Sequence, residues 1–196
     1  MLLGVVAALT LLLVRMLPAL AGERDPRWPG GIVNVHVESD IPDTVITAAQ
    51  RWTHSGADVT IRVVESRRDA DVVVRVDDER LRELCGRDCL GYATAIGRPS
   101  DGDAEILLLS KLAGTPRPLS VWVAAHELGH VLGLKHRSGH NCSVMSPRAF
   151  DTECAPSLAA SRPTAEELAC VPAPSDVDVA ARLYGGVAAT RDPRCQ

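Results

Sequence analysis

Apolar residues in the first half of the chain fall into short alternating or β-branched runs, separated by polar segments rich in Gly, Pro, Asp and Ser. Such runs are typical of β-strands. They predict five strands: Gly31–Glu38, Val59–Val64, Asp71–Val76, Gly91–Gly97 and Ala104–Ser110. After the first strand, Asp40 and Pro42 are helix start signals, so we predict a helix over Asp43–Trp52. This order of elements predicts a mixed sheet with helices packed on it, an α+β domain.

The apolar pattern changes after the segment Thr115–Pro118, which reads TPRP and interrupts regular structure. Beyond it, apolar residues recur at helical spacing, and Ser120 is of a type favoured at a helix N-cap. The apolar positions occupy more than one face of the predicted helix: Val121, Trp122, Ala125, Leu128, Val131 and Leu132. We therefore expect this helix to be well buried, which would hold its functional side chains rigidly.

The same helix carries the most informative motif of the chain, residues 126–136, which read HELGHVLGLKH. They match the pattern H-E-x-x-H-x-x-G-x-x-H. His126 and His130 are four residues apart, so they project from one face of a helix, about 6 Å apart along its axis. That spacing suits two ligands of one Zn²⁺. Glu127, one position further round, can reach a water beside the metal, as a general base must.

His136 cannot join the other two histidines on a continuous helix, because it would lie about 9 Å beyond His130 on another face. The chain must therefore leave the helix and fold back. Gly133 permits this, since glycine is favoured where a helix ends in a left-handed residue. Three histidine ligands leave the fourth tetrahedral position for water, which is typical of a catalytic zinc site.

Composition indicates one domain and an export signal. The chain has 196 residues with a net charge of −4 and no basic block, so nothing suggests a nucleic-acid partner, and we expect a monomer. Leu2–Val14 is an apolar run of 13 residues, and Ala19–Ala21 offers the small residues that signal peptidase reads. We predict cleavage after Ala21 and a secreted protein. The alternative is an uncleaved membrane anchor, although the run is short for a span.

Six cysteines follow this segment, and an even number in an exported protein predicts three disulfides. Six cysteines allow about 15 pairings, which sequence cannot distinguish. Proximity along the chain suggests Cys85–Cys89, Cys142–Cys154 and Cys170–Cys195. A second metal site is the competing interpretation, and the absence of a Cys-x-x-Cys pair disfavours it.

The zinc motif resembles that of the metzincin zinc metallopeptidases. Ser143–Ser146, which reads SVMS, follows the third histidine as the methionine-containing turn does in that clan, and Met145 is the expected structural methionine beneath the zinc ligands. Pro147 and the segment Asp176–Gly185 resemble the matrixin branch. The resemblance implies a twisted five-stranded mixed sheet with an active-site helix, a second packed helix and a C-terminal helix. It further implies that residues Pro147 to Phe150 wall the pocket for the substrate side chain after the scissile bond.

In matrixins a strand that precedes the active-site helix forms the sheet edge along the cleft. Ala104–Ser110 is its expected counterpart, to which a substrate could add as a further strand.

The chain also departs from the family. Gly91–Ala95 has no histidine where many matrixins hold a structural zinc, and we expect no cysteine-switch propeptide, since only about ten residues separate Ala21 from the first predicted strand. We therefore expect one catalytic Zn²⁺. Calcium is unsupported, since Asp101 and Asp103 are the only hint of a site.

Together these observations predict a secreted zinc endopeptidase that acts on proteins or peptides, with Glu127 as general base and His126, His130 and His136 as zinc ligands. One alternative is a non-catalytic zinc-holding adhesion or binding module, which would not need Glu127. Another is an archaemetzincin-like peptidase, which would carry a Cys-x-x-Cys zinc site.

The predicted organisation is a signal peptide (1–21), a lead-in (22–30), the peptidase domain (31–190) and a tail (191–196). Within the peptidase domain we predict a disulfide-tied insertion (148–172) that contains a short helix (Thr164–Ala169).

Overall fold

The computed structural model describes residues 25–115, 117–137, 143–147 and 171–188. Within these residues five strands form one sheet: β1 Ile32–Glu38, β2 Thr60–Val64, β3 Val72–Val76, β4 Gly91–Ala93 and β5 Ala104–Leu108. Four α-helices accompany the sheet: α1 Pro42–Thr53, α2 Asp78–Cys85, α3 Arg117–Val131 and α4 Pro174–Tyr184. The fold is the α+β arrangement of a mixed sheet and packed helices that the sequence predicts, with a strand at each of the five predicted positions.

The strand order is β2-β1-β3-β5-β4, in which β4 runs antiparallel to β5 and the other neighbours are parallel. The prediction that Ala104–Ser110 forms the sheet edge is therefore wrong. β5 pairs with β3 on one side and with β4 on the other, and the edge strand is β4. The sequence of β5 is nearly all apolar, which is typical of a strand that lies between two others in a sheet. The three-residue β4 is shorter than the predicted Gly91–Gly97.

The hydrophobic core lies between the sheet and helices α1 and α3. Alternate residues of β1, Val33 and Val35, are fully buried, as expected for a strand with one face on a core. Trp52 at the end of α1 is also fully buried, and its indole Nε1–H donates to Ala125 O of α3 at 2.9 Å. This bond joins the two helices at the level of the histidine motif, so the helix that carries the site is held from behind.

Helix α2 was not predicted from the sequence. Seven of its eight residues, DERLRELC, are solvent-facing or partly so, and only Leu81 is fully buried. Asp77 caps its start by accepting the Arg80 backbone N–H at 3.0 Å. At its end, a disulfide joins Cys85 to Cys89, as predicted, and so ties the helix to the segment that leads into β4.

The start of α3 also differs from the prediction. The helix begins at Arg117, so Ser120 lies within the first turn rather than at the N-cap. Ser120 is buried, and its Oγ lies 3.4 Å from Thr44 Oγ1 of α1. Pro118 is compatible with this earlier start, because proline is well tolerated in the first turn of a helix.

The lead-in packs against the carboxyl end of α3. Trp28 is 6% exposed, and its indole N–H donates to Val131 O at 2.7 Å. Tyr184 of α4 donates its hydroxyl to Leu132 O at 3.0 Å. The last carbonyls of an α-helix have no N–H partner within the helix, so these two donors satisfy acceptors that would otherwise be buried without a hydrogen bond.

None of the described helices combines the length and apolar character needed to cross a membrane. Several predictions lie outside the described residues: the signal peptide, the insertion up to residue 170 with its helix at Thr164–Ala169, the pairs Cys142–Cys154 and Cys170–Cys195, and the tail. The C-terminal helix implied by Asp176–Gly185 is present as α4.

Candidate active site

Three imidazoles converge at the carboxyl end of α3. The Nε2 atoms of His126, His130 and His136 lie 3.1 Å from one another in each pairing. His126 and His130 are each 8% exposed, whereas His136 is exposed. Within the described part of the chain, this is the one group of three or more His, Cys, Asp or Glu side chains arranged closely enough to hold a metal ion.

Backbone carbonyls orient two of the three rings. His126 Nδ1–H donates to Val144 O at 2.6 Å, and His130 Nδ1–H donates to Leu134 O at 2.8 Å. Because a carbonyl can only accept, the proton of each neutral ring resides on Nδ1 and the lone pair on Nε2. Burial lowers the pKa of His126 to about 4 and also lowers the pKa of His130, so both rings are held neutral, the form that binds metals.

The donor set fits a zinc ion. A tetrahedral Zn²⁺ with bonds of about 2.0–2.1 Å would separate its nitrogen ligands by about 3.3 Å, close to the 3.1 Å found here. His126 and His130 direct unprotonated Nε2 atoms at each other, and two lone pairs cannot form a hydrogen bond. A shared cation is the partner that such an arrangement accommodates.

Gly133 brings the third histidine back to the first two. It follows the end of α3 and adopts φ +94°, a conformation that L side chains rarely adopt. Its N–H donates to His130 O at 2.8 Å, and Leu134 N–H donates to Gly129 O at 2.9 Å. These bonds end the helix and reverse the chain, which is the geometry that the motif predicts.

Glu127 lies against the edge strand. Its side chain is buried, with 4% exposure for the residue, and its carboxylate accepts the backbone N–H of Ala93 in β4. Burial raises the pKa of Glu127 to about 8, and the Ala93 hydrogen bond opposes the rise. A cation held by the adjacent histidines would lower this pKa further, because an opposite charge nearby favours the ionised form.

Gly91 makes room for that carboxylate, a role that was not predicted from the sequence. A Cβ at position 91 would lie 2.7 Å from Glu127 Oε1 and 3.0 Å from Val123 Cγ1. A glycine inside a strand often marks a close approach by another group, so its place in the predicted strand Gly91–Gly97 was a usable signal.

Met145 is fully buried and packs against the helix that carries His126 and His130. Its thioether packs on Gly129, where an added Cβ would collide with Met145 Sδ and would lie 3.3 Å from Trp52 Cζ2. Gly129 thus permits the close packing of α3 on the methionine turn. This contact was also not predicted from the sequence, because it joins residues 16 positions apart.

A buried carboxylate fixes the methionine turn. Asp176 of α4 is fully buried and accepts three hydrogen bonds: from Ser143 Oγ–H, from Val144 N–H at 2.7 Å and from Ala173 N–H at 3.1 Å. Burial raises the pKa of Asp176, and these bonds oppose the rise. Because Val144 O accepts the His126 Nδ1 proton, the chain of contacts runs from α4 through the turn to a metal-facing ring.

The three histidines and Glu127 border one cleft, with a cavity of about 560 Å³. β4 and the loop before it form one wall, and Ser146 and Pro147 contribute to the other. The floor is α3, where the Trp122 ring stacks on the His126 imidazole with centroids 5.3 Å apart and planes 24° apart. Pro147 therefore borders the cleft, as the resemblance implies.

The helix carries two buried histidines, a third follows after a glycine turn, and a buried methionine packs against the same helix. Together with the mixed sheet, these features are those of a metzincin-type zinc metallopeptidase site. The matrixin family model matches residues 35–153, more than half of the chain. The chain belongs to the matrixin family of metallopeptidases.

Two solved structures of myroilysin are among those similar to this chain. "Structure of myroilysin" is 17% identical, covers 74% of each chain and has a TM-score of 0.43. "Crystal structure of myroilysin" is 19% identical, covers 86% of this chain and 68% of that one, and has a TM-score of 0.43. No curated protein matches the sequence.

Proposed function

We propose that this matrixin is a secreted zinc endopeptidase that hydrolyses peptide bonds within proteins, with Glu127 as general base. The observation that carries the proposal is the position of a buried carboxylate beside three converging imidazole nitrogens, at the floor of an open cleft. A purely structural zinc site has no use for such a carboxylate.

His126, His130 and His136 would hold the zinc through Nε2. When bound there, zinc supplies Lewis acidity, which acidifies water and polarises a carbonyl group. The contributions of the chain itself are orientation and charge. The Val144 and Leu134 carbonyls set the ring orientations of the two helical histidines, and such partners make the facing nitrogens better ligands.

Glu127 would move the protons of the reaction. It accepts a proton from the attacking water as the new carbon–oxygen bond forms at the scissile carbonyl. It then delivers that proton to the amine nitrogen as the carbon–nitrogen bond breaks. The Ala93 N–H holds the carboxylate towards the cleft, and Gly91 allows it to approach the strand.

The outer edge of β4 would bind the substrate backbone. Thr94 N–H donates to Glu105 O at 2.9 Å, and Leu109 N–H donates to Leu90 O at 3.0 Å, so even-numbered residues bond towards β5. The main-chain groups of Gly91 and Ala93 therefore point away from β5. The Ala93 N–H is already bonded to Glu127, so an extended peptide could pair with the main-chain groups of Gly91 and the carbonyl of Ala93 as an added strand, the role first predicted for Ala104–Ser110.

Secretion is the second part of the proposal. Its supports are the apolar N-terminal run and the Cys85–Cys89 disulfide, since structural disulfides persist in oxidising compartments. Mass spectrometry of protein exported by an expressing cell should show a mature chain that begins at Gly22. A chain that retains residues 1–21 in the membrane fraction would instead support the uncleaved anchor.

The test of activity uses unfolded casein as the substrate and the purified mature chain. Proteolysis should disappear on dialysis against a zinc chelator and return when about one equivalent of Zn²⁺ is added. A zinc-loaded protein that cleaves nothing would support the non-catalytic binding module. Two zinc ions per chain would support the archaemetzincin-like alternative.

A further inference from the structure

The loop that leads into β4 is held rigidly at the cleft. Cys85 ends α2, and its disulfide with Cys89 closes a loop of five residues. Helix α2 is anchored in the core by the fully buried Leu81. The Cys85 end of the loop is therefore held by the helix, and the Cys89 end is held by the disulfide. Cys85, Asp88 and Cys89 all border the cleft. The disulfide therefore presents this loop to whatever the cleft binds.

Asp88 brings a negative charge to this end of the cleft. Among the described residues that border the cavity, the carboxylates are Asp88 and Glu127, and none is Lys or Arg. Glu127 is buried and bonded to Ala93, whereas Asp88 is exposed. No described residue forms a hydrogen bond or ion pair with the Asp88 side chain. Its charge is thus available to a ligand.

The distance from Asp88 to the reaction centre fits an extended peptide. Asp88 precedes Gly91 by three residues, so their Cα atoms lie at most about 10 Å apart. Gly91 abuts Glu127, which marks the position of the scissile bond. A peptide paired antiparallel to β4, the more stable arrangement, would run towards Asp88 after the scissile bond. Its second or third residue beyond that bond would come near Asp88.

We propose that Asp88 is a specificity-determining residue that selects substrates with Lys or Arg at the second or third position after the scissile bond. This inference rests on the proposed endopeptidase function, and adds a substrate class to it. The attraction is that of an exposed ion pair, so the expected preference is modest and sensitive to salt.

The test uses a neutral peptide that the wild-type enzyme cleaves at one site, with Lys, Gln or Glu placed in turn at each position around that site. We expect kcat/KM to be about two- to fivefold higher for Lys than for Gln at the second or third position after the bond, and lower for Glu. The preference should diminish between low salt and 0.5 M salt, where charges are screened over about 4 Å.

Variants assign the effect to one side chain. Asp88→Asn should bring the Lys-to-Gln ratio close to one, Asp88→Glu should retain the preference, and Asp88→Lys should favour the Glu peptide. Asp103→Asn is the matched control, because Asp103 is an exposed acid outside the residues that border the cleft. It should leave both the ratio and the rate on the Gln peptide unchanged.

The outcomes separate this inference from the proposed function. Equal cleavage of Lys, Gln and Glu peptides by the wild-type enzyme would overturn the role of Asp88 and leave the endopeptidase intact. A Lys preference that persists in both Asp88→Asn and Asp88→Lys would overturn it as well. Failure of the zinc-loaded wild-type enzyme to cleave any peptide would overturn both proposals.

Discussion

Asp176 offers the sharpest test of how the fold supports the metal site. Its buried carboxylate accepts bonds from Ser143 Oγ–H, Val144 N–H and Ala173 N–H. Asp176→Ala leaves three buried donors without an acceptor, and each such loss costs about 1–3 kcal/mol. With water entering the space left behind, we expect a loss of about 3–5 kcal/mol of unfolding free energy, a large share of the total for one domain.

A second effect should appear in zinc affinity. Val144 O orients His126, so loosening the turn should weaken zinc binding about 10- to 100-fold. Urea unfolding of the zinc-free protein gives the stability change, and competition with a chromophoric chelator, under conditions where the variant is folded, gives the affinity. Glu83→Ala is the control, since Glu83 is an exposed helical acid on α2. A stability loss below about 1 kcal/mol with unchanged zinc affinity would refute the reasoning.

Three further predictions concern single contacts. Gly91→Ala should lower kcat about tenfold or more without zinc loss, because its Cβ would displace the general base, and kcat together with metal content checks this. Gly129→Ala should destabilise the fold by about 1–3 kcal/mol in urea unfolding, since its Cβ would collide with Met145 Sδ. Hydrogen bonds from Ser110 lower the pKa of Asp78 in the folded protein. The ionised Asp78 side chain therefore adds to the free energy of unfolding above its unfolded-state pKa, and this stabilisation is lost as the pH falls through the lower folded-state pKa. The stability gap between wild type and Asp78→Asn should therefore narrow below about pH 4 in thermal melts.

The local patterns of the sequence were sufficient to predict the strands and the cluster of three histidines. The spacing within residues 126–136 determines which side chains share a helix face, and Gly133 marks where that helix must end. These are short-range constraints, and the structure brings the three imidazoles together accordingly. The disulfide Cys85–Cys89 is local in the same sense, because four positions separate its cysteines.

Long-range contacts could not be deduced in this way. Strand order is not encoded in any one strand, which is why Ala104–Ser110 was placed at the edge that β4 occupies. Helix α2 has only eight residues, and a polar segment of that length with one fully buried side chain, Leu81, is hard to distinguish from a loop. Asp176 acts on a turn 33 residues away, and its sequence context shows only a helix start.

The central claim is that Glu127 performs catalysis at a zinc site whose metal it does not bind. The most direct measurement compares wild-type and Glu127→Gln proteins on casein, with the zinc content of the same samples determined by atomic emission. The account predicts about one zinc per chain in both proteins and a loss of cleavage in the variant of at least about 100-fold. Cleavage by the zinc-loaded variant at the wild-type rate would contradict it.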